Sequence, residues 1–342
     1  MPTLTIDNRR VDIPSGGTVL DAAWKLRIDI PTMCFLEGVG PNVSCMLCVV
    51  KVEGRAGLVP ACATPAEDGM RIRTDTEEVR QARTDALELL LSDHLGDCEG
   101  PCRLACPFGI NIPLVLRQIA SGKISAAPSP DVAPEIPCDD CPAPCRRACR
   151  RRLYDAPVAI PQLMRYAAGA GLAVLPSKSD VRRRFSVHIG RLLEGEIEQF
   201  ISGASRTGRV APTTADLTAG QARDEAIRCL HCDCRKSDTC KLRNYSEMYG
   251  AKAGRYKGQR KQFERRTDHP DIIFEPGKCI SCGLCVAIAE AAGEELGLTF
   301  VGRGFDVHVA VPFDRFLADA LKKSARRCAE ACPTGALSLK DE

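Results

Sequence analysis

Apolar and polar residues alternate through LTIDNRRVDIP, residues 4–14, which predicts two short strands joined by a tight turn, because side chains two apart share one face of a strand. Past Thr18 the period lengthens, and Val19, Leu20, Ala23 and Leu26 fall on one side of a helix. VVKVEG, beginning at Val49, reads as a further strand and Glu77–Leu91 as a long helix. Shorter helices are expected at Pro161–Ala168, in EGEIEQFI at 194–201, and after Thr218, where Gln221 completes a capping box. Near the C-terminus LTFVGRGFDVHVAVP alternates about Gly302–Gly304 like a hairpin, and FDRFLADALKKSA should form a helix with Asp314 as N-cap. GAGLAVLPSKS and SGASRTGRVAPTTADLTAG read as connectors, the segment between them as a packed linker. Both strand-forming and helix-forming stretches recur along the chain, and the expected fold class is α+β and multidomain.

At 342 residues the chain has room for two or three domains, and its apolar share of 44% is ordinary. Its 20 cysteines are not. The opening MPTLTIDNRRVDIP lacks the apolar region of a signal peptide, so a disulfide scaffold is not the expectation and the chain is placed in a reducing cytoplasm. No apolar run reaches the length of a membrane span. A formal charge of +3 gives no general case for nucleic acid. The basic runs Arg146–Arg152, Arg182–Arg184 and Lys252–Arg266 read as solvated faces or counter-charge to nearby thiolates, since neither a recognition helix nor aromatic stacking positions accompany them. No Walker A sequence and no G-x-G-x-x-G between strand and helix is found, so nucleotide and flavin binding fall to a partner.

The cysteines fall into groups. Cys34, Cys45, Cys48 and Cys62, spaced C-x10-C-x2-C-x13-C around a strand, suit a [2Fe-2S] cluster. Between His94 and Cys149 lie Cys98, Cys102, Cys106, Cys138, Cys141, Cys145 and Cys149. Their C-x3-C steps place thiolates about one helical turn apart, and with His94 they supply the ligands of two four-iron clusters. A zinc ribbon would use isolated C-x2-C pairs instead. Cys229, Cys232, Cys234 and Cys240 form a compact C-x2-C-x-C-x5-C set that suits either zinc or [4Fe-4S] and needs no ligand from elsewhere. His231 inside it reads as a surface residue. Cys279, Cys282 and Cys285, in KCISCGLCV, and the Cys-Pro at Cys332 make a last [4Fe-4S] set, leaving Cys328 as the non-ligand.

TVLDAAWKLRIDIPTMC, SCMLCVVKVEG and VPACATPAEDGMRIRTDTEEVRQARTDALELLLSDH resemble the N-terminus of the large iron–sulfur subunit of NADH:quinone oxidoreductase and of [FeFe] hydrogenases. The resemblance covers about the first hundred residues. It implies a β-grasp [2Fe-2S] ferredoxin domain, then a helix leading to a cluster with one histidine ligand, which His94 matches by position; the competing role for His94 is helix capping. CRLACPFGINIP, the Cys141–Cys145–Cys149 run and PVAIPQLMRY are similar to the two-cluster domain of the glutamate synthase small subunit and of dihydropyrimidine dehydrogenase. That resemblance implies a mainly helical double [4Fe-4S] domain whose halves interleave, with Cys98 and Cys102 joined by Cys149, and Cys106 by Cys141 and Cys145. The ligand of that family in the final helix falls near Met164 or Arg165, neither suitable, and Cys138 is its candidate replacement. The C-terminal set resembles a bacterial ferredoxin domain that has lost its second cluster, Ala289 standing where a ligand would be.

The expected domains are 1–76 ([2Fe-2S] ferredoxin), 77–175 (two [4Fe-4S] clusters), 176–222 (linker), 223–268 (four-cysteine [4Fe-4S] module) and 269–342 (C-terminal bacterial ferredoxin-like [4Fe-4S] domain). One [2Fe-2S] and four [4Fe-4S] clusters in one chain imply a multi-cluster electron-transfer subunit without a catalytic residue of its own. It would relay single electrons between a flavoprotein subunit that oxidises NAD(P)H and a second redox subunit or ferredoxin, in a hetero-oligomer. The alternatives are a hydrogenase-like enzyme and an iron–sulfur redox sensor or zinc-binding scaffold.

Overall fold

The computed structural model describes residues 1–124, 138, 140–171, 184–209 and 216–340. Most of the first connector, residues 172–183 with Arg182 and part of the second, 210–215, lie outside the described residues. The chain divides into two compact units. One holds Met1–His94, Asp238–Lys261 and Glu275–Ser338; the other holds Leu95–Ser237, Gln262–Phe274 and Leu339–Glu342.

The first unit begins with β1 (Thr3–Ile6) and β2 (Arg9–Asp12), antiparallel about Asp7 and Asn8, which both take positive φ as a tight hairpin turn requires. Helix α1 (Val19–Lys25) starts at a capping box in which Thr18 and Asp21 satisfy each other's backbone N–H groups. The two-residue strands β3 (Phe35–Leu36) and β4 (Gly40–Pro41) follow, then β5 (Val49–Val52), β6 (Leu58–Pro60) and β7 (Arg71–Arg73). Five of these make a mixed sheet in the order β2-β1-β7-β5-β6, with β1 parallel to β7 and the other pairs antiparallel. Leu4, Ile6, Val50, Val52 and Ile72 face Val19, Leu20 and Ala23 of α1 in one core, the β-grasp arrangement. Each fully buried aliphatic side chain there contributes about 1.5–3 kcal/mol. Helix α2 (Glu77–Ser92), capped by Thr76, lies against β5 and is tied to it by Arg83, which donates to the Val49 carbonyl at 3.0 Å. Its end delivers His94.

The second unit is built from short helices: α3 (Pro101–Ala105), α4 (Ile112–Ala120), α5 (Pro144–Ala148), α6 (Ile160–Gly169), α7 (Glu196–Ile201) and α8 (Ala219–Ala226). Pro occupies the first or second position of the first four, where a missing N–H leaves no orphan. α4 packs its Ile112, Val115, Leu116 and Ile119 against α6 and against Ala222 and Ala226 of α8. The capping box at Thr218 forms as the sequence indicates. The linker stretch contributes to a core of its own: Phe200 of α7 stacks on Phe263 at 4.3 Å, and Glu196, fully buried, accepts the N–H of Phe263 at 2.7 Å.

The first unit resumes with α9 (Lys241–Met248); strand β8 (Ile272–Phe274) belongs to the second. Then come α10 (Leu284–Ala291), the hairpin β9 (Thr299–Val301) and β10 (His308–Ala310), α11 (Leu317–Ala320), α12 (Ala325–Ala331) and β11 (Leu337–Leu339). The hairpin appears where alternation indicates it. Its turn needs Gly302, because a Cβ there would lie 2.4 Å from the Asp306 carbonyl oxygen. The expected helix from Phe313 does not form as one piece, and Asp314 is not its cap. Phe313 and Asp314 both sit in left-handed backbone, α11 begins only at Leu317, and the Glu294 carboxylate takes the N–H groups of Lys322, Lys323 and Ser324, splitting the segment in two.

Candidate metal centres

In the first unit the chain between α1 and β5 loops so that Cys45 donates its N–H to the Cys34 sulfur at 3.5 Å, and Met46 takes the positive φ that turns Cys48 inward. Strands β5 and β6 bring Cys62 back, its sulfur 3.3 Å from that of Cys48. All four thiols are buried. The Cys45 thiol, bonding to Cys34, pulls it down to about 5, and that of Cys62 pulls Cys48 down to about 7, while Cys45 and Cys62 are pushed up by the same partners and by burial. Such a pocket holds four thiolates only when cations neutralise them. Two close pairs match the two-plus-two demand of a binuclear cluster.

Among the described residues of the second unit, two small cavities are lined by thiols. Cys102, Cys149, Cys229 and Cys232 ring the first, closed by Pro113, Leu116, Val158 and Ile160. Cys106, Cys138, Cys141 and Cys145 ring the second, with Phe108, Ile110 and Met164. The local reason is a repeat: α3 and α5 are both P-C-R-x-A helices followed by Cys, and they pack on one another. The first cysteine of each helix faces the last of the other, so Cys102 meets Cys149, and Cys106 meets Cys145. This interleaving is the one the resemblance implies, and Cys138 stands beside Met164, where a replacement ligand was needed. Burial is the first cause raising every shifted thiol: Cys232 to about 12, Cys145 to about 11, and Cys102, Cys149 and Cys229 upward as well. Cations stand close by. Arg150 pairs with buried Asp97 and reaches Cys232, and buried Arg151 and Arg228 temper the rise at Cys149. Part of the first basic run is therefore counter-charge.

Two placements differ from the grouping expected from sequence. Cys98 is not in the cavity of Cys102 and Cys149; its sulfur accepts the Val187 N–H at 3.5 Å and its carbonyl the Cys234 N–H at 3.3 Å. Cys229 and Cys232 line the cavity of Cys102 and Cys149, a pairing that the grouping of Cys229, Cys232, Cys234 and Cys240 in sequence does not anticipate. Asp233, between Cys232 and Cys234, is held by the Arg117 guanidinium through both carboxylate oxygens at 3.0–3.1 Å. Cys240, the N-cap residue of α9, belongs to the first unit. His231 is half-buried rather than a surface residue, with an unpartnered Nδ1, and it lines an open cavity with Arg117, Arg235 and Lys340.

In the first unit Cys279, Cys282, Cys285 and Cys332 gather around the left-handed turn at Ser281 and Gly283 and the end of α12. Burial raises Cys279 to about 11, Cys282 to about 12 and Cys285 well above the usual thiol range, with mutual repulsion adding to it. Thr334, next to Pro333, donates to the Lys278 carbonyl at 2.9 Å and fixes Cys332 beside the C-x2-C turn. Cys328 is spent on packing: buried in α12, its S–H points at the Cys285 carbonyl, 3.6 Å away. Cys328→Ala should leave iron and sulfide per chain unchanged by colorimetric assay; a drop would make it a ligand. His94 is half-buried beside Glu275 and Lys278, its buried Nδ1 without a partner. Burial first, then the Lys278 ammonium, hold it down at about 4, so it is neutral imidazole, the form that binds metal.

Two family models match the chain: a 2Fe-2S iron-sulfur cluster binding domain over residues 1–77 and a 4Fe-4S single cluster domain over 272–339. The chain is 49% identical over 123 residues to NADP-reducing hydrogenase subunit HndD of Solidesulfovibrio fructosivorans, covering 32% of this chain and 21% of that one. It is 42% identical over 109 residues to an NADH-quinone oxidoreductase subunit of Rhizobium meliloti, covering 30% and 13%. With NADPH-Fe(3+) oxidoreductase subunit alpha of Geobacter sulfurreducens the figures are 40% over 98 residues, covering 29% and 12%. The chain thus spans at most about a fifth of these relatives' length. In fold it is similar to a chain of an NAD+-reducing [NiFe]-hydrogenase, with a TM-score of 0.54 at 20% identity, covering 99% of this chain and 87% of that one. Among the described residues no helix is long and apolar enough to cross a membrane. The protein is a multidomain iron–sulfur protein, with a 2Fe-2S domain at its N-terminus, a 4Fe-4S domain at its C-terminus, and homologues among the iron–sulfur subunits of NAD(P)H-linked oxidoreductases and hydrogenases.

Proposed function

We propose that this chain is an electron-transfer subunit that relays single electrons between a flavoprotein oxidising NAD(P)H and a second redox subunit or ferredoxin, within a cytoplasmic hetero-oligomeric complex. The observation that carries this reading is the ring of four thiols around each cavity of the second unit. Four protein donors per cluster leave no open iron for substrate, so such centres serve one-electron transfer. The relatives, subunits of NAD(P)H-linked enzymes by name, support the partner class.

The ligand count supports one [2Fe-2S] and four [4Fe-4S] clusters. Cys34, Cys45, Cys48 and Cys62 hold the first. Cys102, Cys149, Cys229 and Cys232 hold a second, Cys106, Cys138, Cys141 and Cys145 a third, and Cys279, Cys282, Cys285 and Cys332 a fourth. His94, Cys98, Cys234 and Cys240 fall in none of these sets, and His94 is assigned to the remaining cluster on its unpartnered Nδ1. His94→Cys should keep that cluster and lower its midpoint potential in redox-titrated EPR, because a thiolate adds negative charge where neutral imidazole does not. An unmoved potential in every cluster would take His94 off the ligand list.

The whole reading is tested by mixing. The purified holoprotein should not oxidise NADH or NADPH by itself, and its clusters should be reduced once an NAD(P)H-oxidising flavoprotein from the same complex is added. Rapid reduction by NAD(P)H alone would make the chain an enzyme and end the proposal. Zinc in place of iron and sulfide on metal analysis would end it too, in favour of a scaffold.

A further inference from the structure

We propose that Asn42 is a positioning residue for electron exchange between the Cys34/Cys45/Cys48/Cys62 centre and the Cys279/Cys282/Cys285/Cys332 centre. The inference rests on reading both thiol sets as clusters, and it goes beyond that reading by naming the residue that joins them. Both sets lie in the first unit.

The small hairpin of β3 and β4 ends at Asn42. The Asn42 backbone N–H donates to the Cys34 carbonyl at 3.4 Å, and its side-chain Nδ2 donates to the Cys282 carbonyl at 2.8 Å. One residue thereby joins a thiol donor of each centre through a continuous run of covalent and hydrogen bonds: from Cys34 Sγ through its carbonyl to Asn42 N–H, along the Asn42 side chain, and through the Cys282 carbonyl to Cys282 Sγ. The neighbouring residue makes room for this contact. Gly283 has φ +76, and a Cβ on it would lie 2.4 Å from Asn42 Nδ2 and 3.0 Å from Asn42 Cγ. Any side chain at 283 would therefore expel the carboxamide, so glycine is required there for the slot as well as for the turn.

Two consequences follow from the bonds. A connected route carries an electron between the centres without a jump through empty space. One electron leaves one centre and enters the other, which are oxidised and reduced by one unit each, with no bond made or broken and no proton moved. The Nδ2–H dipole, aimed at the carbonyl of a ligand residue, also favours the more negative, reduced form of the C-terminal centre and raises its potential.

The test uses the full-length holoprotein carrying Asn42→Leu, which keeps the side chain's size and removes its donor. Freeze-quench EPR after rapid reduction should show equilibration between the [2Fe-2S] and C-terminal [4Fe-4S] signals slowed about three- to tenfold, the weight of one ordinary hydrogen bond. The reduction equilibrium of the C-terminal centre should shift by the same factor, a fall of about 30–60 mV for one electron. Iron content and the [2Fe-2S] line shape should not change. Gly283→Ala should reproduce the lowered potential, and the double variant should go no lower, because both substitutions break one contact. Wild-type rate and potential in fully loaded Asn42→Leu would overturn the assignment, and so would loss of either cluster from that variant, which would make the residue purely structural. Absence of either EPR signal from the unsubstituted protein would instead sink the cluster reading on which the inference stands.

Discussion

Replacing both Cys149 and Cys229 with Ala should remove about four iron atoms per chain, whereas replacing both Cys145 and Cys229 should remove about eight, because the first pair serves one [4Fe-4S] cluster and the second pair serves two. The expectation follows from the two cavities: Cys149 and Cys229 line one, and Cys145 lines the other. In sequence the opposite grouping is the natural one. Cys145 and Cys149 lie one helical turn apart, and Cys229 begins a C-x2-C-x-C-x5-C run far downstream. Iron and sulfide assays on the two double variants, with Mössbauer spectra to count intact clusters, separate the alternatives. If the Cys149/Cys229 variant loses as much iron as the Cys145/Cys229 variant, Cys229 belongs to a cluster of its own and the cavity grouping is wrong.

The sequence carries the local half of this arrangement. C-x3-C on two helices with the same P-C-R-x-A-C frame can turn its two thiols to two different neighbours, but the pairing of Cys102 with Cys149 and of Cys106 with Cys145 is implied by family resemblance and not by the spacing. The first hairpin, strand β5, the capping box at Thr218 and the hairpin at Gly302 are legible in sequence, each being set by residues within a few positions of one another. The compact look of Cys229–Cys240 misleads because close spacing only permits a shared metal. Cys229 and Cys232 instead line a cavity with Cys102 and Cys149, residues far upstream in the chain. Asp314 fails as a cap on similar grounds, since the N–H groups that end the expected helix are claimed by Glu294 from another element. Asn42 carries no signal in its own neighbourhood at all, because its partner is 240 residues away.

Removing the clusters should cost the two units very different amounts of structure. The first unit keeps a five-stranded sheet and a core of Leu4, Ile6, Val50, Val52 and Ile72 that contains few thiols. In the second, Cys106, Cys145 and Cys229 are themselves members of the main core, with Cys102, Cys138 and Cys149 packed against it. The helices that carry the ligands, α3 and α5, have five residues each, far below the roughly 12–15 at which an isolated helix becomes even marginal in water. On the proposed ligand grouping, ligation at both ends is what would fix their shape. Ligation of a structural metal by thiolates is worth on the order of 10–16 kcal/mol, as much as or more than the roughly 5–15 kcal/mol that keeps an ordinary domain folded. After iron is stripped by oxidation and chelation, hydrogen exchange followed by mass spectrometry should show amides in 101–120 and 144–169 unprotected, while those in 3–12 and 49–52 stay slow. Protection that persists across α3 to α6 in iron-free protein would mean that the apolar contacts suffice by themselves, and that the thiols are guests in the second unit rather than part of what folds it.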